Sequence, residues 1–202
     1  MTASRPASDL DLYELAWLAG GAARVVDTAL VALARSGRIR ASSPGELTTV
    51  ELTRRHPVEA AVLDAVGPSG HRSVDTIRWR VATDDRLLDV GRRLRQAGLV
   101  TRFRLPVKPR GGPVPSAPTR AGRRALQQRR ALAATGPDEL RVALGGRDAL
   151  PDPALRASIF DRPRSPADLD HGLDFADGAT VAGRTRAAIV ADANRLGAWM
   201  GQ

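Results

Sequence analysis

The chain has 202 residues, 43% apolar but only 3% aromatic, so a core of ordinary size must be built from Leu, Val and Ala rather than rings. Without cysteine there are no disulfides, thiolate metal sites or thiol nucleophiles. No apolar run reaches the length of a bilayer span, the N-terminus lacks a secretory signal, and a net charge of +9 favours anionic partners; the expectation is a soluble cytoplasmic protein.

Asp11 followed three residues later by Glu14 predicts a capping box, opening a short helix with Leu12, Leu15, Trp17 and Leu18. Gly20-Gly21 breaks it. A second helix, Ala22 to Ser36, aligns Val26, Leu30 and Leu33 and stops at Gly37. Arg38-Ile39-Arg40 alternates like a strand, Ser42 to Gly45 is turn chemistry, and Leu47 to Leu52 is strand-like. This is the order of a winged-helix unit. Its second helix is expected to expose Arg24, Asp27, Thr28 and Arg35. One arginine with an aspartate one turn on suits DNA grooves poorly, so packing or protein contact is the favoured use.

His56-Pro57 opens a helix over Val58 to Val66, ended by Gly67-Pro68-Ser69-Gly70. A loose echo of the first unit follows. Trp79 lies 62 residues after Trp17, and Gly98 lies 61 after Gly37. Between them Asp84 caps a helix bearing Leu87, Leu88 and Leu94, and Leu99 to Phe103 reads as a strand. Two related halves packed together are expected.

Residues 104–118 hold five prolines and two glycines, which preclude a helix or central strand. This extended loop carries Arg104, Lys108 and Arg110. Thr119 then caps a helix with Arg120, Arg123, Arg124, Arg129 and Arg130. Leu126 and Leu132, with Ala121, Ala125 and Ala133, are its expected buried side. Residues 103–135 contain seven arginines, one lysine and no acid, or +8 of the whole chain's +9. Arg120, Arg123, Arg124 and Arg130 fall near one stripe. The ordinary reading of such a run is a solvated face; the missing counter-charges and basic loop argue for anion binding.

Short helices follow, one from Pro137 or Asp138 through Leu144, ended by Gly145-Gly146, and one begun by Pro151-Asp152-Pro153 and ending near Phe160. Residues 161–182 read as an acidic linker rich in Pro, Asp and Gly. A last amphipathic helix over residues 183–202 carries Ile189, Leu196 and Trp199, which would dock on the domain or bind a partner.

His56, His71 and His171 have no metal-ligand spacing, and His56 before a proline reads as a cap. No nucleophile elbow, phosphate-cradling loop or cofactor signature occurs. A non-enzyme without metal or cofactor is expected.

Three groups of residues carry a resemblance. Leu12 to Gly21 with Arg24 to Leu30 resembles the opening of an actinobacterial family of domain-containing membrane proteins. His56-Pro57-Val58-Glu59 with Ala61-Val62-Leu63 is similar to its second block. Thr119 to Leu126 and Leu150 to Leu155 are similar to its later part. The likeness covers about residues 9 to 160 and implies no biochemical activity. Those relatives place membrane spans before the Thr-Arg-Ala-Gly segment; this chain has the basic, proline-rich loop there. In order of elements, with Arg35-Ser36-Gly37-Arg38 as a matching segment, the chain more distantly resembles the Golgi phosphoprotein family. That family binds phosphatidylinositol 4-phosphate through arginines and an exposed hairpin, and Arg24 lies near one such arginine.

The expected fold is mainly α with small β-hairpins, two winged-helix-like halves packed as one compact helical domain over residues 9–160. The leading functional expectation is a binding module, peripheral at the inner face of the membrane. Its anion-binding residues would be Arg104, Lys108, Arg110, Arg120, Arg123, Arg124 and Arg24, facing an anionic lipid headgroup or an acidic protein surface. The alternatives are a DNA-binding winged-helix protein and an assembly module working through Ile189, Leu196 and Trp199.

Overall fold

The computed structural model describes residues 9–68, 71–102, 116–133 and 135–162. All lie in the first of two units, Met1–Pro163 and Arg164–Gln202. The expected linker beyond Arg162 and the C-terminal helix lie outside the described residues.

Helix α1 (Leu12–Arg35) is the centre of the fold. Its capping box is formed: the Glu14 N–H donates to Asp11 Oδ1 at 2.7 Å, and the Asp11 N–H donates to Glu14 Oε2 at 3.1 Å. At Gly20-Gly21 the backbone leaves helical geometry, with Gly21 at φ +71°, which only glycine adopts without strain. The expected break is thus a kink between two arms of one helix. In the second arm every residue from Val25 to Leu33 is buried, as befits a helix packed on all sides. It contacts α2 (Pro57–Val66), α4 (Asp85–Gln96), α5 (Arg120–Ala133) and α6 (Asp138–Gly145). By length and composition α1 could cross a membrane, although no unbroken apolar run does; here 67% of its most apolar window is buried in the domain.

Gly37, at φ +72°, turns the chain out of α1. Strands β1 (Ile39–Ser43) and β2 (Glu46–Thr49) then pair antiparallel, Ile39 opposite Thr49, with a bulge between Ala41 and Ser43. A third strand, β3 (Arg72–Ser73), joins β2 through Glu46 and Leu47. Two residues are too few to show alternation, so the sequence carries no sign of it. His56 caps α2, its Nδ1 accepting from the Val58 N–H at 3.1 Å.

In the second half, α3 (Val74–Val81) and α4 precede strand β4 (Val100–Arg102). Asp84 caps α4 by accepting from the Arg86 N–H at 2.8 Å. Strand β5 (Ser116–Pro118) returns antiparallel, Val100 opposite Pro118 and Thr101 opposite Ala117. The proline-rich stretch therefore ends in a strand of a two-stranded sheet, where proline is tolerated. Helix, left-handed glycine and strand recur at Gly37 and Gly98. The tryptophan correspondence does not hold. Trp17 is buried, whereas Trp79 is 77% exposed, opposite the buried Val74, Ile77 and Val81 of α3.

Helices α5 and α6, a 3-10 turn (Arg147–Ala149) and α7 (Pro153–Phe160) complete the described chain. Asp152 caps α7, accepting from the Leu155 N–H at 3.0 Å. Residues from both halves, among them Trp17, Leu30, Leu63, Val90, Leu99 and Val142, form one continuous hydrophobic cluster. The fold is mainly α with small antiparallel strand pairs, and the halves share a core.

Glycine matters most where α4 meets α1. A Cβ at Gly91 would lie 2.4 Å from Cζ2 of Trp17. Alanine would gain about 1 kcal/mol in helix propensity but force a ring out of a packed site, at about 1–3 kcal/mol. Gly91→Ala is expected to lower the urea midpoint; an unchanged or raised midpoint would contradict this packing.

Candidate functional site

Helix α5 is locked onto the end of α4 by the residue that caps it. Thr119 Oγ1 accepts from the Gly122 N–H at 3.2 Å and donates to the Gly98 carbonyl at 2.9 Å, while the Thr119 N–H donates to the Leu99 carbonyl at 2.9 Å. Gly122 permits the approach: a Cβ there would sit 2.3 Å from the Leu99 oxygen. Ala125 and Leu126 are buried beside it, but Ala121 is exposed, contrary to the sequence reading.

With this side fixed inward, a 100° rotation per residue turns Arg120, Arg123 and Arg124 outward, and all three are exposed. Arg130 is exposed too, whereas Arg129 is half-buried and lines a cleft of about 480 Å³ with Leu10, Leu15, Arg38 and Leu140. Arg123 Nη1 donates to the Pro118 carbonyl at 2.8 Å. Among the described residues no carboxylate pairs with Arg120, Arg123, Arg124 or Arg130. Arg104, Lys108 and Arg110 of the expected site lie outside the described residues, as do Ile189, Leu196 and Trp199.

Elsewhere among the described residues eight arginines are held by carboxylates. Arg35 pairs with Asp138, Arg54 with Asp64, Arg86 with Asp64 and Asp84, and Arg92 with Asp85 and Asp89. Arg93 reaches from α4 to Asp11 at 3.7 Å and to the buried Glu14 at 3.9 Å. The helix expected to be recognition-like is corrected here: Asp27 is only 5% exposed and Thr28 is fully buried. Asp27 is gripped by Arg78 of α3 and by Arg147 Nε at 2.9 Å.

Arg24 also departs from the expected anion site. Its Nη1 donates to the Val142 carbonyl at 3.3 Å, and its guanidinium lies against Gly146, where a Cβ would be 2.9 Å away. The side chain spans from α1 to the end of α6, as a packing element. The Val-Val-Asp-Thr-Ala-Leu-Val run around it is nearly continuous in apolar residues. That pattern marks an all-round buried helix.

Sequence reading missed a buried polar cluster. Tyr13 Oη donates to Glu59 Oε1 at 2.8 Å, and Arg38 Nη1 donates to Glu59 Oε2 at 2.5 Å. Arg38 Nη1 also reaches the Thr53 carbonyl at 3.0 Å, and Nε reaches Ser36 Oγ at 2.8 Å. Arg38 is 3% exposed, so this cluster ties α1, α2 and the start of β1 together. Burial, with the Glu59 charge beside it, pushes the Tyr13 phenol far above its usual range. For Glu59 burial would raise the pKa, but hydrogen bonds from Arg38 and Tyr13 and the Arg38 charge outweigh it and hold the carboxyl below its usual range. The Tyr13 proton is held in its bond to Glu59, and Glu59 is committed to two donors; the cluster reads as structural.

Among the described residues no group of three or more His, Asp or Glu side chains could hold a metal ion. The chain matches no family model, no curated protein and no solved structure.

A depressed carboxyl pKa contributes stability above the unfolded value that is lost as pH falls through the folded one. Glu59→Gln, which leaves Arg38 buried beside a neutral amide, is expected to cost about 3 kcal/mol near neutral pH. The gap to wild type should narrow on acidification through and below the usual glutamate range. Denaturant titrations at several pH values measure it; a pH-independent gap would place the Glu59 pKa at its ordinary value.

Proposed function

We propose that the protein is a non-enzymatic module that associates with anionic membrane surfaces through the outward face of α5, with Arg104, Lys108 and Arg110 of the adjoining loop adding to the same field. One observation carries the reading: Arg120, Arg123 and Arg124 are exposed together on one face of α5, a helix without a single acidic residue, and among the described residues none of them meets a carboxylate. Each arginine near an anionic surface contributes about 1 kcal/mol, so three supply about 3 kcal/mol and the loop as much again. The field decays within a Debye length, about 8 Å at physiological salt, so binding must weaken as salt rises.

Two features weigh against a groove-reading alternative. In the second arm of α1 every residue from Val25 to Leu33 is buried, and Arg35 beyond them is paired with Asp138. In α4, the other helix placed before a strand pair, Arg86, Arg92 and Arg93 are each occupied by carboxylates. Direct readout needs free donors on the inserted helix.

Co-sedimentation with phosphatidylserine-containing and purely phosphatidylcholine vesicles tests the proposal. The protein should pellet with the anionic vesicles at low salt and not with the neutral ones. Replacing Arg120, Arg123 and Arg124 by Gln should weaken binding by about a hundredfold. Equal partition onto both vesicle types, or full binding by the triple variant, would refute it.

A further inference from the structure

On the domain described above, a second place assembles arginines in a different way. Asp27, on the buried arm of α1, uses both carboxylate oxygens: Oδ1 accepts from Arg78 Nε at 3.1 Å and also from Arg78 Nη2, while Oδ2 accepts from Arg147 Nε at 2.9 Å. Both guanidiniums lie over the Phe160 ring, their carbons 6.0 and 5.0 Å from its centroid. One buried carboxylate and one aromatic face thus hold two cationic forks.

The forks are not used up by this grip. Arg147 gives only Nε to Asp27, which leaves two Nη groups; the Arg78 Nη1 has only a long, 3.5 Å contact with Asp75. Arg78 and Arg147 line a cleft of about 290 Å³, closed by Gly45 of the β1–β2 turn, Ser73, Phe160 and Arg162. Asp75 and Asp161 also line the cleft, both exposed to water, and Arg162 adds a third guanidinium to its wall. Behind the arginines the single negative charge is Asp27, against two positive ones.

We infer that this cleft is a binding site for a phosphate group, taken up by the outward Nη donors of Arg78 and Arg147. Paired guanidinium forks match phosphate oxygens bidentately. Here their orientation is set in advance by Asp27, so little rotamer freedom remains to be lost on binding. Phe160 keeps water from one side of both guanidiniums. A cleft of this volume admits a phosphate monoester with a small substituent. The residues are distinct from those of α5, and the inference does not depend on membrane association.

Isothermal titration calorimetry with inorganic phosphate, in a chloride-matched buffer, tests it on the full chain. Wild type should bind with a one-to-one stoichiometry, and Arg147→Gln should weaken binding at least tenfold; Asp27 keeps its bonds to Arg78 in this variant, so a lowered melting temperature is expected, and circular dichroism at the titration temperature should show it folded. Arg92→Gln, on α4 and outside the cleft, should bind phosphate as wild type does. A second arm compares phosphatidic acid vesicles with phosphatidylserine vesicles of matched charge, which the α5 face binds alike: a preference for phosphatidic acid that Arg147→Gln loses assigns the phosphate to a lipid headgroup, and no preference in wild type assigns it to a soluble monoester. Absence of phosphate heat in the millimolar range, or wild-type affinity in Arg147→Gln, would overturn the site.

Discussion

An ionised side chain taken out of water must meet an opposite charge or lose several kcal/mol, and α1 imposes that requirement three times. Glu14 is 1% exposed, Asp27 is 5% and Arg38, just past the helix, is 3%. Each is met from a different element: Glu14 by Arg93 of α4, Asp27 by Arg78 of α3 and Arg147 of the 3-10 turn, Arg38 by Glu59 of α2. Such pairs add little net stability over an apolar core of the same shape. Removing one partner is costly, however, so arrangements that displace α2, α3 or α4 from α1 are penalised.

The same pairing decides where positive charge remains. Carboxylates are spread over residues 9–102 and 136–162 but are missing from 103–135. Eight arginines in the acidic stretches, among them Arg38, Arg78 and Arg86, are drawn into pairs, some of them through the core. Arg120, Arg123, Arg124 and Arg130 sit on a helix anchored by its apolar face, and among the described residues no carboxylate pairs with them. The outward stripe is therefore a consequence of two independent facts, a local lack of acids and a helix fixed by Thr119 and Gly122.

Local chemistry was readable from the chain, and long-range chemistry was not. Asp11 with Glu14, His56 before Pro57, Asp84, Thr119 and Asp152 act as caps because capping depends on residues two or three apart. Gly37 and Gly98 end helices for a reason equally local, a left-handed backbone. The burial of Asp27 could not be read the same way, since its partners lie 51 and 120 residues away. Arg24 failed likewise, its contact being with Val142. For α5, the spacing of its arginines was enough to place three of them together, because helix geometry maps sequence onto a face. What the spacing could not supply was the absence of acids from other elements.

The division between engaged and unengaged arginines is the central claim, and it can be measured residue by residue. Limited modification of the folded protein with an arginine-selective dicarbonyl reagent, mapped by mass spectrometry, reports the reactivity of each guanidinium. Arg120 and Arg124 should react well before Arg38 and Arg78, and anionic vesicles should shield Arg120 and Arg124 but not the exposed Arg40 and Arg55. Comparable reactivity at Arg38 and Arg124, or no shielding by such vesicles, would contradict the account.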